Sequence, residues 1–148
     1  MVPNGVFIRT KNIKGKQYAY LVENTWKNGR SRQRVVSYLG RVLAPPPAPA
    51  PKIRSDEKDI LSSLIEQELI HVEEEYVFDK DNTSFSFKNR PVVFEINGGF
   101  LCAYTLQQIM EAKKVRDEDR PGTALAHAFA HAGLRIPKDA FITYYTQP

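Results

Sequence analysis

The sequence predicts an α+β protein: a small three-stranded antiparallel β-module, a Pro-Ala linker, then an α+β domain with an antiparallel sheet and about three helices. Three observations lead there. The first stretch alternates apolar and polar positions around an Asn-Gly pair, the strongest short-range hairpin signal. Residues 44–51 contain only Pro and Ala. Beyond them, helical and strand periodicities occur in the same segment, which is the pattern of an α+β domain. The expected boundaries are 1–43 for a basic β-module, 44–54 for the linker and 55–148 for an acidic α+β domain.

The first expected strand is Gly5–Thr10, followed by a turn at Ile13-Lys14-Gly15. The second runs from Lys16 to Trp26 and the third from Arg30 to Leu39. Placing Asn28-Gly29 at the turn centre pairs Lys27 with Arg30, Trp26 with Ser31, Thr25 with Arg32, Asn24 with Gln33 and Glu23 with Arg34. Strand side chains alternate, so this register sorts them into two faces. One carries Trp26, Val22, Val35, Tyr20, Tyr18 and Leu39, expected to pack as a miniature core. The other carries Lys27, Arg30, Arg32 and Arg34, with Glu23 opposite Arg34, before turning apolar at Leu21 and Val36. A two-stranded hairpin is marginal alone, so the first strand is expected to pair with it.

Proline lacks an amide donor and has a fixed φ, so the Pro-Ala run favours polyproline II and is expected to act as a spacer between the flanking modules. After it, Ser55 is a plausible N-cap for a helix reaching about His71, with Ile60, Leu61, Leu64, Ile65 and Leu69 at helical spacing. Strands are expected at Glu75–Phe78, Thr83–Lys88 and Pro91–Ile96, the last broken by Asn97-Gly98-Gly99. Helices are expected over Tyr104–Val115 and Thr123–His131, the second stopped by Gly133, and a final strand over Ala140–Tyr145.

Charge is divided as sharply as structure. Eleven of the 21 Lys and Arg residues fall in 1–54 against the single acid Glu23, a net of +10, while 55–148 is net −6. Folding alone does not require such asymmetry; it points to a polyanion as partner of the basic half. No apolar run approaches the ~20 residues that span a bilayer, so no membrane role is expected. The start Met1-Val2-Pro3-Asn4-Gly5 is not a signal peptide, and cytoplasm is the expected compartment. Cys102, the one cysteine, excludes an intrachain disulfide framework and reads as a buried small hydrophobe.

The expected contacts to nucleic acid are Lys27, Arg30, Arg32 and Arg34, with Lys11, Lys14 and Lys16 in support. Arginine offers phosphate a rigid donor fork, and a two-stranded ribbon fits the major groove. Tyr18, Tyr20 and Trp26 are alternatively a stacking platform for unpaired bases. The run Tyr18-Ala19-Tyr20-Leu21-Val22-Glu23, then Asn28-Gly29-Arg30, then Arg32-Gln33-Arg34-Val35-Val36-Ser37-Tyr38-Leu39-Gly40 resembles the N-terminal segment of insertion-sequence transposases. The likeness covers about residues 6–41 and implies DNA binding by that module. Those transposases carry three carboxylates on a large RNase-H-like core. The residues after the linker are too few for that core, so the likeness implies a nucleic-acid-handling module beside a different domain.

His127 and His131 stand at i and i+4, the spacing of a zinc-binding helix, but Ala128 occupies the position where a zincin has glutamate. They are weak metal candidates, with His71 or a distant acid as third ligand. Glu73-Glu74-Glu75 and Asp117-Glu118-Asp119 are acidic clusters that could hold a hard cation, the second flanked by enough bases to read as a self-neutralising turn. No nucleophile elbow, Walker loop or dinucleotide fingerprint is present. The expected function is therefore non-catalytic nucleic-acid binding without a cofactor, DNA favoured. An RNA-binding or ribosome-associated protein is the alternative, and a metal-dependent enzyme using His127 and His131 a third. The small residues of 122–133 suit a protein partner or homodimer through 55–148, or simply a tight core.

Overall fold

The computed structural model of the chain describes residues 5–116 and 119–148. β1 (Val6–Ile13) joins β2 (Lys16–Lys27) through Lys14-Gly15, and β2 joins β3 (Arg30–Leu43) through Asn28-Gly29. All four turn residues have positive φ, the backbone of a hairpin turn whose twist matches the strands it connects. The register expected from Asn28-Gly29 is the observed one from Lys27↔Arg30 through Glu23↔Arg34 to Val22↔Val35. Two irregularities follow: Leu21 pairs with Ser37 and Ala19 with Gly40, leaving Val36 and Leu39 as extra residues on β3.

Gly40 is where β3 departs furthest from its expected course. Its φ is 140°, and a Cβ there would lie 2.5 Å from the Pro91 carbonyl oxygen. Glycine therefore lets β3 run past residue 39 to Leu43, against a second strand. The remaining elements are α1 (Ile60–Glu68), β4 (Tyr76–Asp79), β5 (Ser84–Phe87), β6 (Arg90–Ile96), β7 (Gly99–Leu101), α2 (Ala103–Lys113), α3 (Thr123–Ala132) and α4 (Lys138–Thr146). β3 and β6 pair in parallel, Arg41↔Val92, Val42↔Val93 and Leu43↔Phe94.

The described residues thus form one mixed seven-stranded sheet, ordered β1-β2-β3-β6-β5-β4 with β7 on β6. This corrects the expected separate three-stranded module and second antiparallel sheet, and four helices replace about three. The reason is topological: parallel strands need a long crossover, here supplied by 44–89, and no local turn announces it.

The Pro-Ala run does not stand off from the rest of the chain but is bonded to it. Pro51 is buried, and Lys52 and Gln67 exchange two hydrogen bonds of 2.8 and 2.9 Å. Arg135 Nη2 donates to the carbonyls of Ala48 and Pro49 at 2.9 and 3.1 Å. The same guanidinium grips Glu68, a carboxylate only 2% exposed, through Nη2 at 2.6 Å and Nε at 3.1 Å. The Arg135 backbone N–H and Asn97 Nδ2 also donate to Glu68, at 2.9 and 3.0 Å.

Three further expectations change. Asp59, not Ser55, caps α1, accepting from the Ser62 N–H at 3.2 Å. The residues before it are spent in a turn, with Arg54 paired to Asp56 and Glu57 accepting from the Asp59 N–H. Asn97-Gly98 does not simply end a strand but turns β6 into β7. The tail expected as a strand is α4, whose Ala140 and Tyr144 are buried one turn apart.

Alternate residues of β6 face two cores. Val92, Phe94 and Ile96 join the main one with Leu64, Leu101 and Leu106. Val93 joins Ala19, Val42 and Cys102 in a smaller one, closed by Ile8, Leu39, Phe100 and Tyr104.

Two substitutions test this architecture by urea unfolding. Arg135→Ala leaves Glu68 buried without its cation and is expected to cost about 3–5 kcal/mol. Gly40→Ala drives a methyl group into the backbone of Pro91 and is expected to cost at least about 1–3 kcal/mol. A loss below 1 kcal/mol in either case would contradict the packing described.

Candidate nucleic-acid interface

β1 stops pairing at Val6↔Glu23, extended by one bond from the Asn24 N–H to the Gly5 carbonyl at 2.9 Å. From there to the turn, β2 and β3 continue alone as a two-stranded arm projecting about 14 Å. Its pairs place Lys27 beside Arg30 and Thr25 beside Arg32 on one face. Lys27, Arg30 and Arg32 make no side-chain ion pair among the described residues. Arg34 is different: its Nη2 donates to Glu23 at 3.1 Å, so part of its charge is already answered.

The other face of the same strands is largely open, although Val22 on it is buried. Trp26 is 70% exposed, Val35 50% and Tyr38 47%. Packing falls instead beneath the basic row's face at its base, where Leu21 and Ala19 are buried and Ile8 and Ala19 meet Phe100, Cys102 and Tyr104. This overturns the expected aromatic miniature core. The hairpin is not freestanding, and the segment entering α2 fills the side that the hairpin alone would leave to water.

Across the open face run two rows, Arg9–Tyr20–Tyr38 and Lys11–Tyr18–Arg41. Tyr38 has its ring centre 5.3 Å from that of Tyr20 and 6.5 Å from that of Tyr18. Lys11 Nζ sits 5.1 Å over the Tyr20 ring, a cation–π contact. Arg9 reaches over the buried Val22 to donate to Gln33, tying β1 to β3 across β2.

Parallel pairing with β6 brings the β5–β6 turn to the edge of this aromatic ladder. There a cleft of ≈ 260 Å³ is lined by Lys16, Tyr18, Tyr38, Arg41, Lys88 and Arg90, floored by Phe87 and Val92. No carboxylate lines it among the described residues, and none of its four cations forms an ion pair there. Lys88 Nζ rests 5.2 Å over the Phe87 ring. Burial, then the neighbouring Tyr20 and Tyr18, push the Tyr38 hydroxyl above its ordinary pKa, with Arg90 pulling the other way. Tyr38 is therefore a neutral phenol at physiological pH.

The seven cations singled out in the sequence thus separate into two groups. Lys27, Arg30, Arg32 and Arg34 lie on the arm. Lys11 and Lys16 lie on the opposite face toward the far end of β2, about 17–37 Å away along the strand, with Lys14 in the adjoining turn. Arg9, Arg41, Lys88 and Arg90 were not anticipated. Lys88-Asn89-Arg90 was readable as a basic turn between two strands, but nothing local places it beside Tyr38.

His127 and His131 are exposed on α3, and no group of three His, Cys, Asp or Glu is arranged to hold a metal among the described residues. Glu73, Glu74 and Glu75 are exposed; Asp117 and Glu118 lie outside the described residues. Cys102 is buried, and burial pushes its thiol pKa up, the reverse of nucleophile activation. Among the small residues of α3, Ala128 and Ala132 are buried in the core while Ala124, Ala126 and Ala130 are exposed. At the helix end the backbone is close-packed, since a Cβ on Gly99 of β7 would lie 2.4 Å from the Gly133 backbone nitrogen. No helix among the described residues is long and apolar enough to cross a membrane. No family model matches the chain, and no curated protein or solved structure matches it significantly.

The juxtaposition of Arg90 and Tyr38 can be measured. Arg90→Gln removes the cation that favours the phenolate, so the Tyr38 pKa is expected to rise further, read by NMR of its ring carbons. An unchanged titration would separate the two side chains.

Proposed function

We propose that this protein binds nucleic acid, DNA foremost, without transforming it, and that the β2–β3 arm is its grip on the phosphate backbone. The observation that carries this reading is the arm itself: a projecting ribbon bearing Lys27, Arg30 and Arg32 with no carboxylate partner among the described residues. Ordinary surfaces intermix both signs, and uncompensated charge on a projecting extension is explained by a polyanion. A two-stranded ribbon is also narrow enough to enter a major groove. Arg34 contributes less than its neighbours because its bond to Glu23 must be given up or shared. The preference for DNA over RNA rests on the likeness of residues 6–41 to transposase N-terminal segments.

A duplex of about 20 base pairs, titrated by fluorescence anisotropy over a salt series, tests the proposal. The log–log salt slope is expected to fall by about three when Lys27, Arg30 and Arg32 are changed to Ala, with affinity falling at least about tenfold. Trp26, the one tryptophan, is on the arm, so its emission should shift on binding. Equal affinity of the triple variant and the parent would sink the arm assignment. Competition with structured RNA decides between DNA and RNA.

A further inference from the structure

The cleft at the other end of β2 has a chemistry that phosphate contact alone does not explain. We infer that the open face of β1–β3, together with the β5–β6 turn, is a second nucleic-acid site that takes an unpaired strand, stacking bases on Tyr38 and Tyr18 and holding the adjoining phosphates with Lys16, Arg41, Lys88 and Arg90. It rests on the reading of the protein as a nucleic-acid binder, but on none of the arm residues.

Three observations carry it. First, Tyr18, Tyr20 and Tyr38 form a contiguous ladder on one sheet face, with Tyr38 47% exposed. Large aromatics left open beside their own packed core are binding surface, and every base offers a π-face to stack on. Second, the ladder ends in a concave cleft of ≈ 260 Å³ bordered by four cations and no described acid. Like charges gathered this closely repel one another, and an anion lying among them relieves the repulsion. Third, ring and charge are adjacent: Arg90 is near enough to Tyr38 to favour its phenolate, and Tyr18 is paired directly with Arg41. A nucleotide presents the same adjacency, an apolar ring beside a charged phosphate. Bases inside a duplex are already stacked and cannot present their faces to tyrosine, so the partner is an unpaired strand.

The test uses the full chain with labelled oligothymidylate and oligouridylate of about twelve nucleotides, a length typical of such sites. At least one oligomer should bind, and their relative affinities say whether the strand is DNA or RNA. Replacing Tyr18 and Tyr38 with Leu keeps apolar volume but removes the rings, and is expected to weaken oligomer binding about tenfold or more. Lys88→Gln with Arg90→Gln, both exposed positions, should weaken it comparably and flatten its salt dependence. Neither pair should change duplex affinity by more than about twofold, since the arm is intact. Failure of both oligomers to bind, or unchanged binding by the Tyr variant, overturns the inference. Loss of duplex binding with retained oligomer binding in the Lys27, Arg30, Arg32 variant supports two separate sites. Loss of both together in that variant counts against the second.

Discussion

The Glu68 carboxylate, 2% exposed at the end of α1, takes hydrogen bonds from three donors of Arg135 and from Asn97. Taking an ion pair out of water costs several kcal/mol, and only near-complete satisfaction of its polar atoms offsets that. Here the satisfaction extends outward. Asn97 belongs to the β6–β7 turn and also donates to the Gly133 carbonyl at 2.8 Å. Arg135 follows α3 and holds the carbonyls of Ala48 and Pro49. One buried charge therefore fixes four segments together: α1, the β6–β7 turn, the α3–α4 connection and the Pro-Ala run. An apolar cluster would tolerate sliding between them. A set of hydrogen bonds to one carboxylate does not.

The consequence reaches the basic surfaces. Holding the Pro-Ala run against the body sets the path by which the chain leaves β3 and returns as β6. That path allows β3 and β6 to pair in parallel, with Gly40 passing Pro91 too closely for any side chain. Parallel pairing in turn brings Lys88 and Arg90 to Tyr38. The cleft thus depends on an interaction that contributes no residue to it, and weakening Glu68–Arg135 would disturb the cleft before it disturbed the arm.

What the sequence made legible was local. Asn28-Gly29 set the hairpin register residue by residue through Val22↔Val35, because a two-residue turn leaves the strands no freedom to slip. Gly133 stopped α3 where expected, and the 91–96 strand stood within one residue of β6. What was illegible depended on distant partners. Val36 and Leu39 bulge out of β3 without a turn residue to mark them. The choice of which hairpin face packs was made by Phe100, Cys102 and Tyr104, some eighty residues along the chain. Alternation identifies two faces but cannot say which is covered, and for a hairpin with aromatics on one side and Leu21 and Ala19 on the other both answers were physically available. The tail departs from expectation for a related reason: Phe141, Ile142, Tyr144 and Tyr145 have strand propensity, yet burial of Ala140 and Tyr144 one turn apart decides for helix.

The arm and the cleft also differ in how they are built, and that difference bears on what each can hold. The arm is two strands tied to β1 at its base through Arg9 and Gln33, so beyond that its shape is set by its turn and cross-strand bonds, and it can flex. A ribbon of that kind can follow a groove whose width varies with sequence, at little cost in selectivity for backbone charge. The cleft is lined by strand residues including Val92, which reaches the main core, and Phe87, and its tyrosines are held against one another. Such a surface is preorganised, and ordering it on binding costs little entropy. The two stand on opposite faces at opposite ends of β2. A straight duplex cannot lie along both, whereas a duplex on the arm and an unpaired strand on the tyrosines can be held at once. Under the proposed function, the geometry therefore favours a division of the two sites by the form of nucleic acid each would take.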